Sequence, residues 1–288
     1  MNTEELVVVG TDGSEHAQAA VRWATGEARR RGATLEVVHA FQPVWGTERE
    51  SPGGNLLEVS HSRAAEILSD AELAAHDMVG ELPVRTVAGV GHPLDTMLKA
   101  AAHATVVVVG SRGLGGFTSL LLGSVGQGVA MHAPCPVVVV RGRAKADRGP
   151  VVVGAAQSPE APAAIALAFA EAATRGCALL AVRTYRTPVP PWSPDLLPLV
   201  QPSEQQEAAE RAELRDLLVP WREKYPEVPV ETLVARDDAA QLLIDLSHTA
   251  QLVVVGNRGR GSLAGTLLGS VGLRLLHHAG CPVMIMRS

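Results

Sequence analysis

The sequence predicts an α/β protein built from two tandem doubly wound sandwiches, each with a five-stranded parallel sheet. Three observations support this prediction. Glycine-rich strings that follow a run of valines occur twice, as GSRGLGGFTSLLLGS at 110–124 and GNRGRGSLAGTLLGS at 256–270. Short apolar segments recur through both halves of the chain, and helical patterns lie between them. Strands that alternate with helices are typical of parallel sheets with helices on both faces.

The chain is an internal duplication. LVVVGTDGS at 6–14 parallels VVVGAAQSP at 151–159, and the offset between matching strings stays at 144 to 146 residues. A period of this length indicates a duplicated domain rather than a solenoid repeat. We therefore predict a first domain at 1–142, a linker at 143–149 and a second domain at 150–288.

The strands are predicted from apolar segments that do not alternate with polar residues. Such segments suit strands that are covered on both faces, as in a parallel sheet. In the first half they lie at 6–10, 34–40, 84–89, 105–110 and 136–140. In the second half they lie at 151–154, 178–184, 230–235, 252–256 and 282–286.

Amphipathic helices are predicted between these strands. One helix of the first half has a face made of Ala17, Val21, Ala24 and Ala28, with Ser14 as its N-cap. One helix of the second half has a face made of Leu214, Leu217, Leu218 and Trp221. The charged residues of this second helix are interpreted as its solvated face, and they are Glu204, Glu207, Glu210, Arg211, Glu213 and Arg215. Right-handed crossovers are expected to place the loops after the strands along one edge of each sheet.

Composition argues against several classes of function. The formal net charge of −5 disfavours non-specific binding to nucleic acid or to anionic membranes. No apolar run approaches the roughly 18 residues that a membrane helix needs, and the N-terminus lacks the basic region of a signal peptide. Cys135, Cys177 and Cys281 are odd in number and spread out, which indicates neither a disulfide framework nor a zinc site. We expect a cytoplasmic protein.

Both glycine-rich strings share the spacing G-x2-G-x9-G-S. It is met by Gly110, Gly113, Gly123 and Ser124, and again by Gly256, Gly259, Gly269 and Ser270. Glycines let backbone N–H groups approach phosphate oxygens, and the first turn of a helix favours an anion. The spacing is neither a Walker A loop nor the dinucleotide fingerprint. A tight strand-to-helix turn is the alternative interpretation of each loop.

This spacing after the fourth strand, together with VGTDGS at 9–14, HAPCP at 132–136 and VGNRGRGS at 255–262, resembles the universal stress protein family. The resemblance covers nearly the whole chain as two tandem copies. It implies an adenine-nucleotide-hydrolase-like or flavodoxin-like fold with strand order 3-2-1-4-5. It also implies ATP as the ligand, with Mg²⁺, and pairing of two domains through their last strands.

The resemblance assigns roles to individual residues. Asp12 matches the acid that contacts adenosine, Gly10 the position packed beside it, and Ala40 a residue that lines the adenine pocket. The loop around ribose and phosphates matches Gly110, Ser111, Arg112, Gly113, Leu114, Gly115 and Gly116. The contacts to the terminal phosphate match Gly123, Ser124 and Val125. In the second copy the equivalent residues are Gly154, Gly256, Asn257, Arg258, Gly259, Arg260, Gly261, Ser262, Gly269, Ser270 and Val271.

One position departs from this pattern. Ala156 stands in the second copy where Asp12 stands in the first. A methyl group cannot accept a hydrogen bond, and the loss of one such bond costs about 0.5–1.5 kcal/mol. We therefore expect the second copy to bind ATP more weakly, or through the phosphates alone. His39, which lies near the end of the second strand beside the predicted pocket, is a further candidate for a functional role.

The sequence leaves three functions open. The first is an ATP-binding sensor or regulator of the stress response, whose copies form a pseudo-dimer in one chain and which engages a homodimer partner or an unidentified regulatory protein. The second is a slow ATPase or phosphotransfer enzyme, although no catalytic residue or metal ligand is identified. The third is an interaction protein without a nucleotide. The loops at 44–55 and 187–203 are predicted to cap the domains or to form a lid or partner surface.

Overall fold

The computed structural model describes residues 5–42, 56–113, 122–144, 147–185, 204–257 and 268–287. The chain divides into two compact units. The first comprises Met1–Lys145 together with Pro282–Ser288, and the second comprises Ala146–Cys281. The two loops predicted to act as caps or lids, 44–55 and 187–203, lie outside the described residues.

The first unit alternates strands and helices as the sequence predicts. In chain order its elements are β1 (Leu6–Gly10), α1 (Glu15–Arg31), β2 (Thr34–Phe41), α2 (Leu56–Met78), β3 (Val84–Val90), α3 (Pro93–Ala101), β4 (Val106–Gly110), α4 (Ser124–His132) and β5 (Val137–Val140). Its parallel strands are arranged in the order β3-β2-β1-β4-β5. This is the order 3-2-1-4-5 that the family resemblance implies.

The second unit repeats the arrangement. Its elements are β6 (Val151–Gly154), α5 (Ala161–Arg175), β7 (Leu179–Thr184), α6 (Glu204–Lys224), β8 (Val230–Ala235), α7 (Ala239–Ser247), β9 (Leu252–Gly256) and α8 (Ser270–His278). Its strands are parallel in the order β8-β7-β6-β9. The last strand of the chain, β10 (Val283–Met286), belongs to the first unit, where it pairs antiparallel with β5. The last strands of the two sequence copies therefore lie side by side.

The core is built from valine-rich central strands and alanine-rich helix faces. Every residue of β5 is buried, as are four of the five residues of β4. The predicted face of α1 is buried, and Ser14 caps that helix by accepting a hydrogen bond from the Ala17 N–H. The expectation that strands are covered on both faces is wrong for the edge strands β3 and β8, because β3 is mostly exposed and β8 has a single buried residue. None of the described helices is long and apolar enough to cross a membrane.

Candidate functional site

The site residues predicted in the first unit lie at the carboxyl ends of β1 and β4. These two parallel strands are neighbours, and they end at Gly10 and Gly110. Within the sheet, β2 is the neighbour of β1 on one side and β4 is its neighbour on the other. The strand order therefore reverses between β1 and β4, which is the position where open α/β sheets bind ligands.

Asp12 lies between the loops that follow β1 and β4. Its Oδ1 accepts a hydrogen bond from the Ser14 N–H at 3.0 Å, which helps to form the turn into α1. Its Oδ2 lies against Gly113, since a Cβ added at Gly113 would overlap this oxygen. The carboxyl group thus has a structural role in its own loop, and it also reaches the glycine-rich loop. Because it is only half-buried, it can also meet a ligand at this edge.

Backbone hydrogen bonds close the glycine-rich loop on itself. The Gly123 N–H donates to the Ser111 carbonyl at 2.8 Å, and the Ser111 N–H donates to the Val140 carbonyl at 3.1 Å. These bonds bring the end of the loop back to the end of β4. Leu114, Gly115 and Gly116 lie outside the described residues.

The closed loop leads directly into α4. Gly123 is its N-cap and has no side chain with which to cap the helix, and α4 begins at the exposed Ser124, as predicted. The free N–H groups of this first turn favour an anion. Val125 is half-buried in the same turn.

Gly110 allows the end of β4 to lie close to the first turn of α1. A Cβ at this position would lie 2.7 Å from the His16 carbonyl oxygen and 2.9 Å from its carbon. Both atoms belong to the backbone of α1, which cannot move aside as a side chain can. Packing therefore requires glycine at this position. The alternative interpretation of the loop as a tight strand-to-helix turn accounts for this glycine without a ligand.

The third border of the site is the end of β2. His39 is buried, and its Nδ1 lies 2.8 Å from the Thr11 carbonyl oxygen. A carbonyl can only accept, so Nδ1 carries the proton of this hydrogen bond. Ala40 follows His39 and is half-buried at the same edge. His39 thus orients the loop that carries Asp12.

The second unit repeats the loop closure. The Gly269 N–H donates to the Asn257 carbonyl at 2.7 Å, and α8 begins at Ser270 with Gly269 as its N-cap. Gly154 and Gly256 end β6 and β9, and Val271 lies in the first turn of α8. Within the described residues, the buried Asn257 Oδ1 has no hydrogen-bond partner. The remaining predicted residues of this loop lie outside the described part of the chain, namely Arg258, Gly259, Arg260, Gly261 and Ser262.

The second unit differs from the first at the end of its second strand. Arg183, near the end of β7, is 4% exposed and forms ion pairs with Glu210 and Glu213 of α6. The interpretation of Glu210 as part of a solvated face is therefore wrong, whereas Glu213 is exposed, as predicted. Glu210 is itself buried, because α6 turns it toward the buried guanidinium. The arginine within the apolar segment LLAVRT was the available signal for this contact.

The cysteines and histidines outside this edge form no further centre in the described part of the chain. No group of three or more His, Cys, Asp or Glu side chains there is placed to hold a metal ion. None of the three cysteines is in a disulfide bond, and burial raises the pKa of the Cys135 thiol to about 11. His132 and His278 are exposed at the ends of α4 and α8.

Comparisons with known proteins agree over both copies. The sequence matches the universal stress protein family over residues 5–141 and 148–287. A universal stress protein of Mycolicibacterium smegmatis is 37% identical, over 99% of this chain and 98% of that protein. The universal stress protein Rv2005c of Mycobacterium tuberculosis is 36% identical, over 98% of this chain and 96% of that protein.

The fold agrees with a solved structure of the same kind. The crystal structure of a universal stress protein from Archaeoglobus fulgidus superposes with a TM-score of 0.74. The superposition covers 100% of this chain and 99% of that one, at 18% sequence identity. The fold is therefore shared along the whole length of both chains.

Proposed function

Because the chain belongs to the universal stress protein family, we propose that its first unit binds ATP and that nucleotide occupancy makes the protein a sensor or regulator of the stress response. The single observation that carries this proposal is the closure of the glycine-rich loop. The Gly123 N–H on the Ser111 carbonyl joins the loop, the start of α4 and the end of β4 at one edge.

The proposed site has a nucleoside end and a phosphate end. Asp12 offers a carboxylate to the nucleoside, and Ala40 leaves space beside it at the end of β2. At the other end, Arg112, Gly113 and the first turn of α4 present backbone N–H groups to the phosphates, and the Arg112 side chain adds a positive charge. This division explains why both an acid and a glycine-rich loop are needed at one edge.

Mg²⁺ is proposed to enter with the nucleotide rather than to occupy a metal centre made by the protein. Triphosphate oxygens and water are ligands that Mg²⁺ prefers, and it is held in many proteins by few side chains. In this proposal Mg²⁺ neutralises phosphate charge. The protein's own residues bind and orient the nucleotide, and Asp12 serves recognition rather than proton transfer.

We propose that the two sequence copies act as a covalent pseudo-dimer in the cytoplasm. The antiparallel pairing of β5 with β10 supports this, because Val139 faces Val283 across the two last strands. A change in nucleotide occupancy would then alter a surface that a regulatory protein or a second copy recognises. The acidic net charge supports neither nucleic acid nor a membrane as the partner.

The test is a nucleotide inventory followed by a titration. A known amount of purified protein is denatured, and the released nucleotide is identified by mass spectrometry. The stripped protein is then titrated with Mg·ATP by calorimetry, beside the variants Asp12→Ala and Gly113→Val. We expect bound adenine nucleotide and an affinity that both substitutions reduce. No heat of binding at millimolar ATP would refute the proposal, and turnover well above roughly 1 s⁻¹ would favour an enzyme.

A further inference from the structure

A network of charged and polar side chains lies in the second unit at the position that corresponds to the proposed nucleoside end of the first unit. Arg183 Nε donates to the Ala155 carbonyl at 3.2 Å, and its Nη1 donates to Glu213 Oε2 at 3.1 Å. Gln157 Nε2 donates to the same Glu213 oxygen at 2.7 Å and to Glu210 Oε2 at 3.2 Å. The network therefore ties the loop after β6, the end of β7 and α6 together.

The strand registers show which residues of the first unit correspond to this network. Gly10 pairs with Val38 in the first unit, and Gly154 pairs with Val182 in the second. Arg183 is therefore the counterpart of His39. Both side chains bond the first carbonyl after the preceding strand, although only the longer arginine reaches α6.

The helices α2 and α6 can be aligned in the same way. The ring of Phe41, at the end of β2, lies 4.7 Å from the ring of His61 on α2. Tyr185, its counterpart after β7, donates a hydrogen bond from its hydroxyl to Glu207 on α6 at 3.4 Å. His61 and Glu207 are thus equivalent, with the offset of 146 residues that the sequence repeat also shows.

This alignment shows that every member of the network has a small, apolar or short counterpart. Glu210 corresponds to Ala64, Glu213 to Ile67, and Gln157 to Gly13. In the first unit, Ile67 lies against Gly13, where a Cβ would be 3.3 Å from Ile67 Cγ1. The first unit therefore has an apolar contact at the place where the second has an ion-pair network.

We propose that this network closes the second unit to adenine nucleosides, so that the full chain binds ATP in the first unit alone. The proposal rests on the proposed function of the first unit, and it specifies which residues make one unit bind ATP and the other not. A nucleoside entering the second unit would find no acceptor at Ala156. It would also have to displace Glu213 and Gln157, and this is unfavourable because the buried Arg183 would lose one of its two ion pairs.

The glycine-rich loop that the second unit retains does not restore nucleoside binding. The second unit still closes its loop with the Gly269 N–H on the Asn257 carbonyl, and α8 still begins at Ser270. A loop of this kind binds phosphate groups through its backbone but does not recognise the nucleoside to which they are attached. The second unit is therefore expected to support the fold and the pairing of the last strands rather than to sense nucleotide.

The first experiment uses the wild-type chain. Stripped protein is titrated with Mg·ATP by calorimetry, and a photoreactive 8-azido-ATP is cross-linked and located by peptide mass spectrometry. We expect close to one ATP per chain, labels confined to the first unit, and loss of strong binding in Asp12→Ala. Two sites of similar affinity, or labels in both units, would overturn this inference and leave the proposed function intact. Absence of any binding would refute both.

The second experiment rebuilds the site. The variant Ala156→Asp, Gln157→Gly, Arg183→His, Glu210→Ala, Glu213→Ile carries the residues of the first unit at all five positions. We expect it to gain a second site with an affinity within about tenfold of the first. A control, Arg222→His, removes an exposed arginine from the same helix and should leave the stoichiometry unchanged. A variant that retains wild-type circular dichroism but gains no site would overturn the assignment of these residues.

Discussion

At the scale of single residues, a double substitution can distinguish the contribution of Gly113 to ATP binding from that of Asp12. A Cβ at position 113 would overlap Asp12 Oδ2, and the carboxyl group can rotate away because it is the end of a side chain. We therefore expect Gly113→Ala to keep the fold and to weaken ATP binding by displacing the carboxylate. The loss should be about 2- to 12-fold, the value of one hydrogen bond.

The interaction between the two positions gives the control. If Gly113→Ala acts through Asp12, adding it to Asp12→Ala should change the dissociation constant very little. Calorimetric titration of the wild type, both single variants and the double variant measures this coupling. Additive losses would show that Gly113 contributes through its own backbone instead.

Gly110 is expected to affect stability rather than affinity alone. A Cβ there would meet the backbone of His16 at 2.7 Å, and backbone atoms cannot move without shifting α1. Overpacking of this kind costs about 1–3 kcal/mol. Urea unfolding of Gly110→Ala should show this loss. Gly80→Ala, where a Cβ meets nothing within 4 Å, should not. Equal stabilities of the two variants would contradict the close approach of Gly110 to the backbone of α1.

The buried thiol of Cys135 predicts a dependence of stability on pH. Burial raises its pKa from an ordinary 9.0 to about 11, and hydrogen bonds to the backbone and the charge of Arg287 oppose this only in part. The unfolded thiol ionises first, so the contribution to stability is complete below about pH 9 and is lost as pH rises toward 11. Between about pH 8 and pH 10.5, urea unfolding should show a larger loss for the wild type than for Cys135→Ala. Parallel losses would contradict this.

At the scale of elements, the sequence predicts the strands to within one residue at every end. The reason is local, because uninterrupted valine segments such as β4 have no competing helical period and end at glycine. The starts of α4 and α8 are also predicted from a local signal, because a Gly-Ser pair ends each loop. The proposed ligand roles of Asp12 and the glycines come from the family resemblance and not from a local pattern of this kind.

The network of the second unit is an element-scale feature that the sequence does not predict. Its members Gln157, Arg183 and Glu213 are brought together from three elements, and Arg183 and Glu213 are 30 residues apart. A helix rich in glutamate has the same pattern whether its acids meet solvent or a buried arginine. Only the packing of α6 over the end of β7 decides which of them become buried.

The first turn of α4 can be tested by separating helix stability from ligand affinity. Ser124→Asp places a carboxylate at the start of the helix, which stabilises the helix by about 0.3–1 kcal/mol. The same charge should repel phosphates, so we expect ATP affinity to fall at least about tenfold while the melting temperature stays equal or rises. Ser270→Asp is the matched change in α8 and should leave the affinity unchanged. Equal losses in both variants would indicate that both helices hold phosphate.

At the scale of the whole molecule, the first unit is completed by the last residues of the chain. Met284 of β10 pairs with Val138 of β5, and both side chains are fully buried. The strand β5 in turn holds the glycine-rich loop, since the Val140 carbonyl accepts from the Ser111 N–H. The end of the sequence therefore supports the loop that we propose to hold ATP.

This arrangement predicts that a charged residue introduced into β10 destabilises β5. Met284→Asp buries a carboxylate without a partner, and we expect it to lower the free energy of unfolding by at least about 3 kcal/mol. Hydrogen exchange of the peptide that contains Val137–Val140 should become faster, because these amides depend on the packed neighbour. Met286→Asp changes a half-buried residue of the same strand and should have a much smaller effect. If β5 exchanged equally fast in both variants, β10 would not be the strand that completes the first unit.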